Sequence, residues 1–228
     1  MNNEAGLPIA VISPITRYRF YNTAVAPTIL ENRCRQIIKV PDPHRHGAAG
    51  ARNAGFEHCR QEYVFFLDDD TLLRPYTLEY LYRALERNKR ASFAYCDWMV
   101  CNHPTRGNEI IRPGAWDPVR LQKENYISTM TLIRSEVFAR YRWDPELRMF
   151  QDWDLWLRMV ADGHNGAYTT HHMHEPLFTA IYGIDGHGIT KRDPESRSAT
   201  LREIRRRQEH RAMIENTTIM DEGERLPR

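Results

Sequence analysis

The sequence predicts an α/β fold with a mostly parallel central sheet flanked by helices. Short β-branched or aromatic runs alternate with helix-like segments over residues 8–100, the order typical of parallel strands joined by crossover helices. One run, YVFFL at 63–67, is continuously apolar, as strands covered on both faces are. Three consecutive carboxylates at 68–70 follow it, at the strand end where open parallel sheets bind ligands.

Local signals place the elements up to residue 100. We predict strands at 8–15, 35–42, 63–67 and 91–100, the first two interrupted or stopped by proline. The segment 22–34 is expected to be partly helical, with Pro27 limiting where the helix begins. The Ala- and Gly-rich segment 46–61 predicts a helix that packs closely on the sheet. From Pro75, apolar residues at i, i+3, i+4 and i+7 predict an amphipathic helix that ends near Asn88.

The pattern loosens after residue 100. Residues 102–125 are polar and contain three prolines. The remaining segments are a strand that runs into a helix (127–141), a helix that stops at Gly163 (151–163), an extended segment (166–183) and a basic helix (198–216).

Composition limits the class of protein. The 32 basic and 30 acidic side chains nearly balance, so the overall charge does not require a nucleic-acid or membrane partner. No apolar run approaches the length of a membrane span, and MNNEAGLP does not resemble a secretory signal. The four cysteines lack a zinc-type arrangement and are expected to be reduced thiols. We therefore expect a cytoplasmic chain, either free or peripherally attached to a membrane.

The three carboxylates, Asp68, Asp69 and Asp70, repel one another and are costly to desolvate without a compensating cation. A divalent cation prefers such oxygen ligands and would in turn neutralise a diphosphate. A solvated acidic turn is the alternative interpretation. A phosphatase with an Asp-x-Asp nucleophile is a second alternative, but its fifth position, usually Thr or Val, is Leu72 here.

Two separated blocks resemble one known family. GAAGARNAGFEHCRQEYVFFLDDDTLLRPYTLEYLYRAL and, later, YISTMTLIRSEVFARYRWDPELRMFQDWDLWLRMVADG resemble the two conserved blocks of the family 2 glycosyltransferases, which have the GT-A fold, in the same order. The stretch EPLFTAIYGIDGHGIT is similar to the segment after the second block in that family. The resemblance implies a Rossmann-like donor-binding half at 1–100, an acceptor half at 101–195 of the same domain, and a basic C-terminal helix and tail at 196–228.

The resemblance also implies the ligands of a metal and a donor. Asp70 would bind Mn²⁺ or Mg²⁺ bridged to the donor diphosphate. Asp68 would be a second metal ligand, or would hold the ribose or a metal-bound water. Asp69 occupies a variable position and is expected to be solvated. His187 would complete the metal shell. A dedicated zinc site among the histidines near residue 172 is the alternative use of that region.

Four further residues are expected to hold the nucleotide. Pro14 and Thr16 match the loop that lines the base pocket in the family, and Asp42 matches the position that contacts the base. Arg52 matches the arginine of the Ala-Arg-Asn motif, where a guanidinium suits a diphosphate or a base. A surface arginine on a helix is the alternative for Arg52.

Asp152 is the candidate general base that takes the proton of the acceptor hydroxyl. Its alternative role is a helix N-cap. Gln151 replaces the glutamate that the family has, and we expect this lost charge to lower the pKa of Asp152. Trp153 and Trp156 are expected in the core, and Asp154 is expected to have a structural role.

The predicted function is metal-dependent, inverting transfer of a sugar from a nucleotide diphosphate sugar, with uridine as the expected base. Residues 102–125 carry no signature of the acceptor, which is unknown and could be a glycan, a lipid-linked molecule or a nucleic acid. A nucleotidyltransferase on a similar sheet is the enzymatic alternative, although SPITRYRF lacks the glycine-rich loop it needs. A non-enzymatic protein that binds nucleic acid or another anionic surface is suggested by REIRRRQEHR. The sequence does not predict the oligomeric state.

Overall fold

A computed structural model describes residues 6–42, 47–103, 106–184 and 194–223. Ten strands are present among these residues. They are β1 (Leu7–Ile15), β2 (Cys34–Pro41), β3 (Tyr63–Phe66), β4 (Thr71–Leu73), β5 (Ala91–Cys96), β6 (Trp98–His103), β7 (Gly107–Ile111), β8 (Leu132–Arg134), β9 (Asn165–Thr169) and β10 (Phe178–Ile181).

The described residues also form eight helices and one π-helical turn. They are α1 (Tyr18–Phe20), the π turn (Tyr21–Val25), α2 (Ala26–Leu30), α3 (Ala48–Phe56), α4 (Thr77–Arg87), α5 (Pro118–Leu121), α6 (Ser135–Phe138), α7 (Gln151–Ala161) and α8 (Pro194–Gly223). In the described part of the chain, no helix is both long and apolar enough to cross a membrane.

The central sheet has six strands in the order β2-β1-β3-β8-β5-β9. Strand β1 pairs in parallel with β2 and β3, and β5 pairs in parallel with β9. Strand β8 runs antiparallel to both of its neighbours, β3 and β5. The sheet is therefore mostly parallel, and the carboxyl ends of β1, β2 and β3 meet at one edge.

The apolar run at 91–100 forms two strands instead of the single strand predicted from the sequence. Strand β5 belongs to the central sheet, whereas β6 belongs to a second sheet with the order β4-β10-β6-β7. Asp97 separates them and is fully buried; its carboxylate accepts hydrogen bonds from the Tyr168 hydroxyl (2.7 Å) and Thr170 Oγ1 (2.8 Å). A buried carboxylate must find donors, and these bonds mark the point where the chain changes sheets.

The helical segment before β2 begins earlier than predicted. It starts at Tyr18, well before Pro27, and passes through the π turn before reaching α2. Proline lacks an N–H and crowds the preceding turn, and a π turn widens the helix at such a place. Pro27 therefore lies near the start of α2, where its missing donor costs little.

Helices cover both faces of the central sheet. On one face, α4 buries Leu78, Leu81 and Leu85 completely, as their spacing predicts. On the other face, residues of α3, α6 and α7 pack with Phe66 and Phe93. Both faces of β3 are thus buried, which explains why its sequence is continuously apolar.

Candidate functional site

The carboxylate cluster lies where three strands end together. Leu67 N–H donates to the Ile12 carbonyl (2.9 Å), so the chain after β3 stays beside β1. Asp42 N–H donates to the Ile15 carbonyl (2.9 Å), which brings the end of β2 to the same edge. The residues after β1 and β3, together with Asp42 after β2, therefore form the floor of the site.

Asp69 is buried, so the expectation that it is solvated was wrong. Its Oδ2 accepts hydrogen bonds from Thr16 N–H (2.6 Å), Thr16 Oγ1 (2.9 Å) and Arg17 N–H (2.8 Å). Its Oδ1 accepts from Arg17 Nη1. Buried carboxylates are retained where donors and a cation compensate them. Asp69 therefore fixes the loop after β1 against the loop after β3.

Asp68 points away from Asp69, toward α3. Its Oδ1 accepts a hydrogen bond from Nη2 of Arg52, whose side chain is only 5% exposed. The Arg52 guanidinium also lies 4.9 Å from the centre of the Trp143 ring, and Nη1 donates to Gln151 Oε1 (3.3 Å). Arg52 is therefore not the surface arginine of the alternative interpretation. It connects the carboxylate cluster to the start of α7.

Asp70 is partly exposed, with a side chain 30% exposed, close to the 32% of Asp68. Burial and the neighbouring Asp68 charge raise its pKa to about 7, against the opposing effect of Arg17. Its backbone carbonyl accepts from Ile181 N–H (2.9 Å), which brings the end of β10 to the cluster. The carboxylate therefore keeps an uncompensated share of negative charge, which a bound cation would neutralise.

Asp152 is the second residue of α7, and Phe150 is the N-cap residue, so the N-cap role for Asp152 was wrong. Its Oδ1 accepts from Asn125 Nδ2 (3.0 Å) and Trp153 N–H (2.9 Å). Burial raises the pKa of Asp152, although the Asn125 hydrogen bond and Arg52 oppose that shift. That Gln151 lowers this pKa relative to a glutamate at the same position stays a prediction.

The neighbours of Asp152 on α7 lie in the core. Trp153 and Trp156 are buried and donate to backbone carbonyls of Leu121 (2.7 Å) and Ile127 (3.3 Å). Asp154 is also buried and forms an ion pair with Arg158 (2.8 Å). These contacts hold the first turn of α7 in place and leave Asp152 as the carboxylate of that turn that is not paired with Arg158.

The remaining predicted residues differ in whether they contact the carboxylate cluster. Thr16 contacts Asp69 directly, and Pro14 is paired with Val40 across β1 and β2. The Asp42 carboxylate is buried and accepts from Gly47 N–H (3.1 Å) ahead of α3. His187 lies outside the described residues. Within the described ranges, no group of three or more His, Cys, Asp or Glu side chains converges to hold a metal.

Three residues near the cluster were not predicted from the sequence. They are Arg17, Asn125 and Tyr182. Ile181 N–H donates to the Asp70 carbonyl, so Tyr182 directly follows a residue bound to the cluster, and burial and the charges of Asp70, Asp68 and Asp152 raise its pKa. The signal for Arg17 was its position directly after β1. Asn125 had no signal, because it ends a polar stretch without a regular pattern.

Comparisons with known proteins identify the family of this chain. The sequence matches the family described as Glycosyl transferase family 2 over residues 23–142. An uncharacterized glycosyltransferase of Haemophilus influenzae is 28% identical over 148 residues, 62% of this chain and 49% of that protein. The Escherichia coli UDP-Glc:alpha-D-GlcNAc-diphosphoundecaprenol beta-1,3-glucosyltransferase WfgD is 24% identical over 139 residues, 61% of this chain and 54% of that protein. The chain thus spans about half the length of the curated relatives it matches.

Solved structures share the fold. Staphylococcus aureus TarS 1–349 superimposes with a TM-score of 0.63 at 14% identity, covering 86% of this chain and 64% of that one. Its complexes with UDP and with UDP-GlcNAc give TM-scores of 0.64 and 0.65. The described architecture is therefore of the GT-A type that the sequence predicted. Because the family match covers more than half of the chain, the protein belongs to glycosyl transferase family 2.

Proposed function

We propose that this protein transfers a sugar from a UDP-sugar to an acceptor hydroxyl, with inversion at the anomeric carbon and a divalent metal at the donor diphosphate. One observation carries the proposal. Arg52 donates to Asp68 with Nη2 and to Gln151 with Nη1, so a single guanidinium spans the predicted donor carboxylates and the residue before Asp152. Donor and acceptor chemistry would therefore meet at one place.

Uridine is the proposed base, on the strength of the relatives. The WfgD name includes UDP-Glc, and TarS has been crystallised with UDP and UDP-GlcNAc. The loop of Pro14 and Thr16 after β1, with Asp42 after β2, is the proposed base pocket. We propose that residues 1–100 bind the donor and 101–195 the acceptor, with the helix and tail at 196–228 outside that division.

The carboxylates fit Mg²⁺ or Mn²⁺. The raised pKa of Asp70 indicates negative charge without full compensation, and carboxylate oxygens are the ligands these ions prefer. Such ions are commonly held by one or two carboxylates, with water and substrate phosphates completing the shell. Asp70 and Asp68 would supply the protein ligands. When bound, the ion would neutralise the charge that develops on the departing diphosphate.

Asp152 is the proposed general base of a single displacement. Both of its hydrogen bonds from Asn125 and Trp153 end on Oδ1, so we assign the acceptor proton to Oδ2. Asn125 would hold the carboxylate in one orientation, and the raised pKa would make it a stronger base than an exposed aspartate. Inversion needs one base and no enzyme nucleophile, which agrees with a single carboxylate at this position.

A donor screen by thermal shift tests the proposal, with UDP, other nucleoside diphosphates and Mn²⁺ supplied separately and together. We expect UDP with Mn²⁺ to raise the melting temperature more than either alone. Asp152→Asn should keep this shift but lose sugar transfer by at least ~100-fold, the usual contribution of a general base. Glu146→Gln, an exposed acid on the loop before α7, is the matched control and should retain both.

Two results would contradict the proposal. Equal stabilisation by UDP with and without Mn²⁺ would remove the metal from the donor site. Undiminished transfer by Asp152→Asn would remove the base assignment.

A further inference from the structure

One nitrogen of Arg17 lies between two carboxylates of the cluster. Its Nη1 is 2.5 Å from Oδ1 of Asp69 and 3.5 Å from Oδ2 of Asp70. The Arg17 side chain is 17% exposed, so its charge is largely removed from water. A partly desolvated cation therefore already acts on the carboxylate that is proposed to bind the metal.

We infer that Arg17 competes with the divalent ion: its guanidinium compensates Asp70 in the metal-free protein and must give up Asp70 when the metal binds. The inference rests on the proposed function, which supplies the metal. A metal ion bound to Asp70 would lie within a few ångströms of Arg17 Nη1, and two cations at that separation repel strongly in a partly buried site. Arg17 thus lowers the metal affinity of the site by the free energy of its contact with Asp70.

Asp69 allows this exchange without unfolding the loop. Its Oδ2 holds the backbone N–H groups of Thr16 and Arg17, and these bonds do not involve the guanidinium. The Arg17 backbone therefore stays in place while its side chain changes partner. Asp69 and Asp70 therefore have different roles. Asp69 holds the loop after β1, and Asp70 binds either Arg17 or the metal.

Manganese affinity without nucleotide tests the inference. Free Mn²⁺ is counted by electron paramagnetic resonance during titration of the wild type, Arg17→Met and Arg19→Met. Methionine keeps much of the apolar stem but removes the charge. Arg19 is exposed on the short helix that starts directly after Arg17, and is the matched control. We expect Arg17→Met to bind Mn²⁺ about tenfold more tightly than the wild type, because the contact between Arg17 and Asp70, roughly one ion pair, is lost. Arg19→Met should bind Mn²⁺ as the wild type does.

Equal or weaker binding by a folded Arg17→Met would overturn the inference, as would a lack of Mn²⁺ binding by both proteins. The wild type gives a second measurement in case Arg17→Met does not fold. During titration with diamagnetic Mg²⁺, the side-chain Nε–H signal of Arg17 should shift with the metal occupancy. The signal of Arg134, which is bonded to the backbone carbonyls of Ala91 and Leu85, should stay constant. An unchanged Arg17 signal at saturating Mg²⁺ would contradict the exchange.

UDP added at the end of each titration separates this inference from the proposed function. If UDP does not bind with or without metal, the donor assignment fails, whereas the comparison of Mn²⁺ affinities still decides the role of Arg17. If UDP binds with Mn²⁺ but the affinities of the wild type and Arg17→Met are equal, the donor assignment stands and the inference about Arg17 fails.

Discussion

At the scale of residues, three adjacent aspartates have three different environments. Asp68 pairs with Arg52, Asp69 is buried under the loop after β1, and Asp70 is partly exposed and lies 3.5 Å from Arg17 Nη1. The pair Asp68 and Asp70 was predicted from the motif. Asp69 was not, because the chain turns at residues 69 and 70, and no local pattern shows that this turn brings Asp69 under the loop after β1. The family resemblance, in which this position is variable, gave no signal for that role either.

Substitution should separate the structural aspartate from the functional one. Asp69→Asn places an amide donor against backbone donors and removes the carboxylate that lies 2.5 Å from Arg17 Nη1, so we expect it to lower the free energy of unfolding by about 2–4 kcal/mol. Asp70→Asn should not lower the free energy of unfolding. Folding raises the pKa of Asp70 from about 4 to about 7. Above about pH 4 the ionised carboxylate therefore destabilises the folded state, and asparagine removes that charge. Urea denaturation of both variants at pH 8 without metal checks this. Similar losses in both variants would contradict the division of roles.

The pH dependence of transfer should report Asp152. The base must be ionised, and burial raises its pKa, so activity should fall as pH drops through a value above that of an exposed aspartate. Asn125→Ala removes a hydrogen bond that lowers this pKa, and its acid limb should therefore lie at higher pH. The kcat is measured against pH with saturating donor and metal. An acid limb that does not move in Asn125→Ala would contradict the positioning role of Asn125.

At the scale of elements, α3 approaches the sheet closely enough to bring Arg52 to the carboxylates. Gly55 makes this approach possible, because a Cβ there would lie within 2.4 Å of Ile12 Cγ2 and 2.9 Å of Val40 Cγ2. The small residues of this segment predicted the close approach from the sequence. The change of sheets at Asp97 was not predicted, because the apolar pattern continues on both sides of that residue and only tertiary partners reveal the break.

Two glycines of α3 give a matched test of that packing. Gly55→Ala should destabilise the fold by about 1–3 kcal/mol through overpacking between α3 and the sheet. Gly50→Ala lies in the same helix with open space around its Cβ, and should stabilise the fold by about 0.5–1 kcal/mol through helix propensity. Both are measured by chemical denaturation. A neutral Gly55→Ala would show that α3 is not held tightly against β1.

At the scale of the whole molecule, the site joins chain segments that lie far apart in sequence. The sheet predicted from alternating strands and helices brings together the ends of β1, β2 and β3. The two family blocks predicted Asp68, Asp70 and Asp152, but not that Arg52 would connect them through Gln151. Such contacts depend on how helices α3 and α7 lie on the same face of the sheet, which local patterns do not encode.

The packing of α8 in its described part also belongs to this scale. Arg207 pairs with Asp144 (2.5 Å) and approaches Asp154 (3.7 Å), and Ile204 is buried against the core. The basic composition of this helix suggested an anionic partner from sequence. In the described residues, at least one of its arginines instead pairs with carboxylates near α7, which supports the first turn that carries Asp152.

A crystal structure with Mn²⁺ and UDP would show directly whether the carboxylate cluster holds the donor through a metal. We predict Mn²⁺ within about 2.0–2.3 Å of an Asp70 oxygen, the diphosphate bound to the same ion, and Asp152 facing the open side of that diphosphate. We also predict that Arg17 Nη1 no longer contacts Asp70. UDP bound elsewhere, or Mn²⁺ bound away from Asp70 and Asp68, would contradict the proposed donor site.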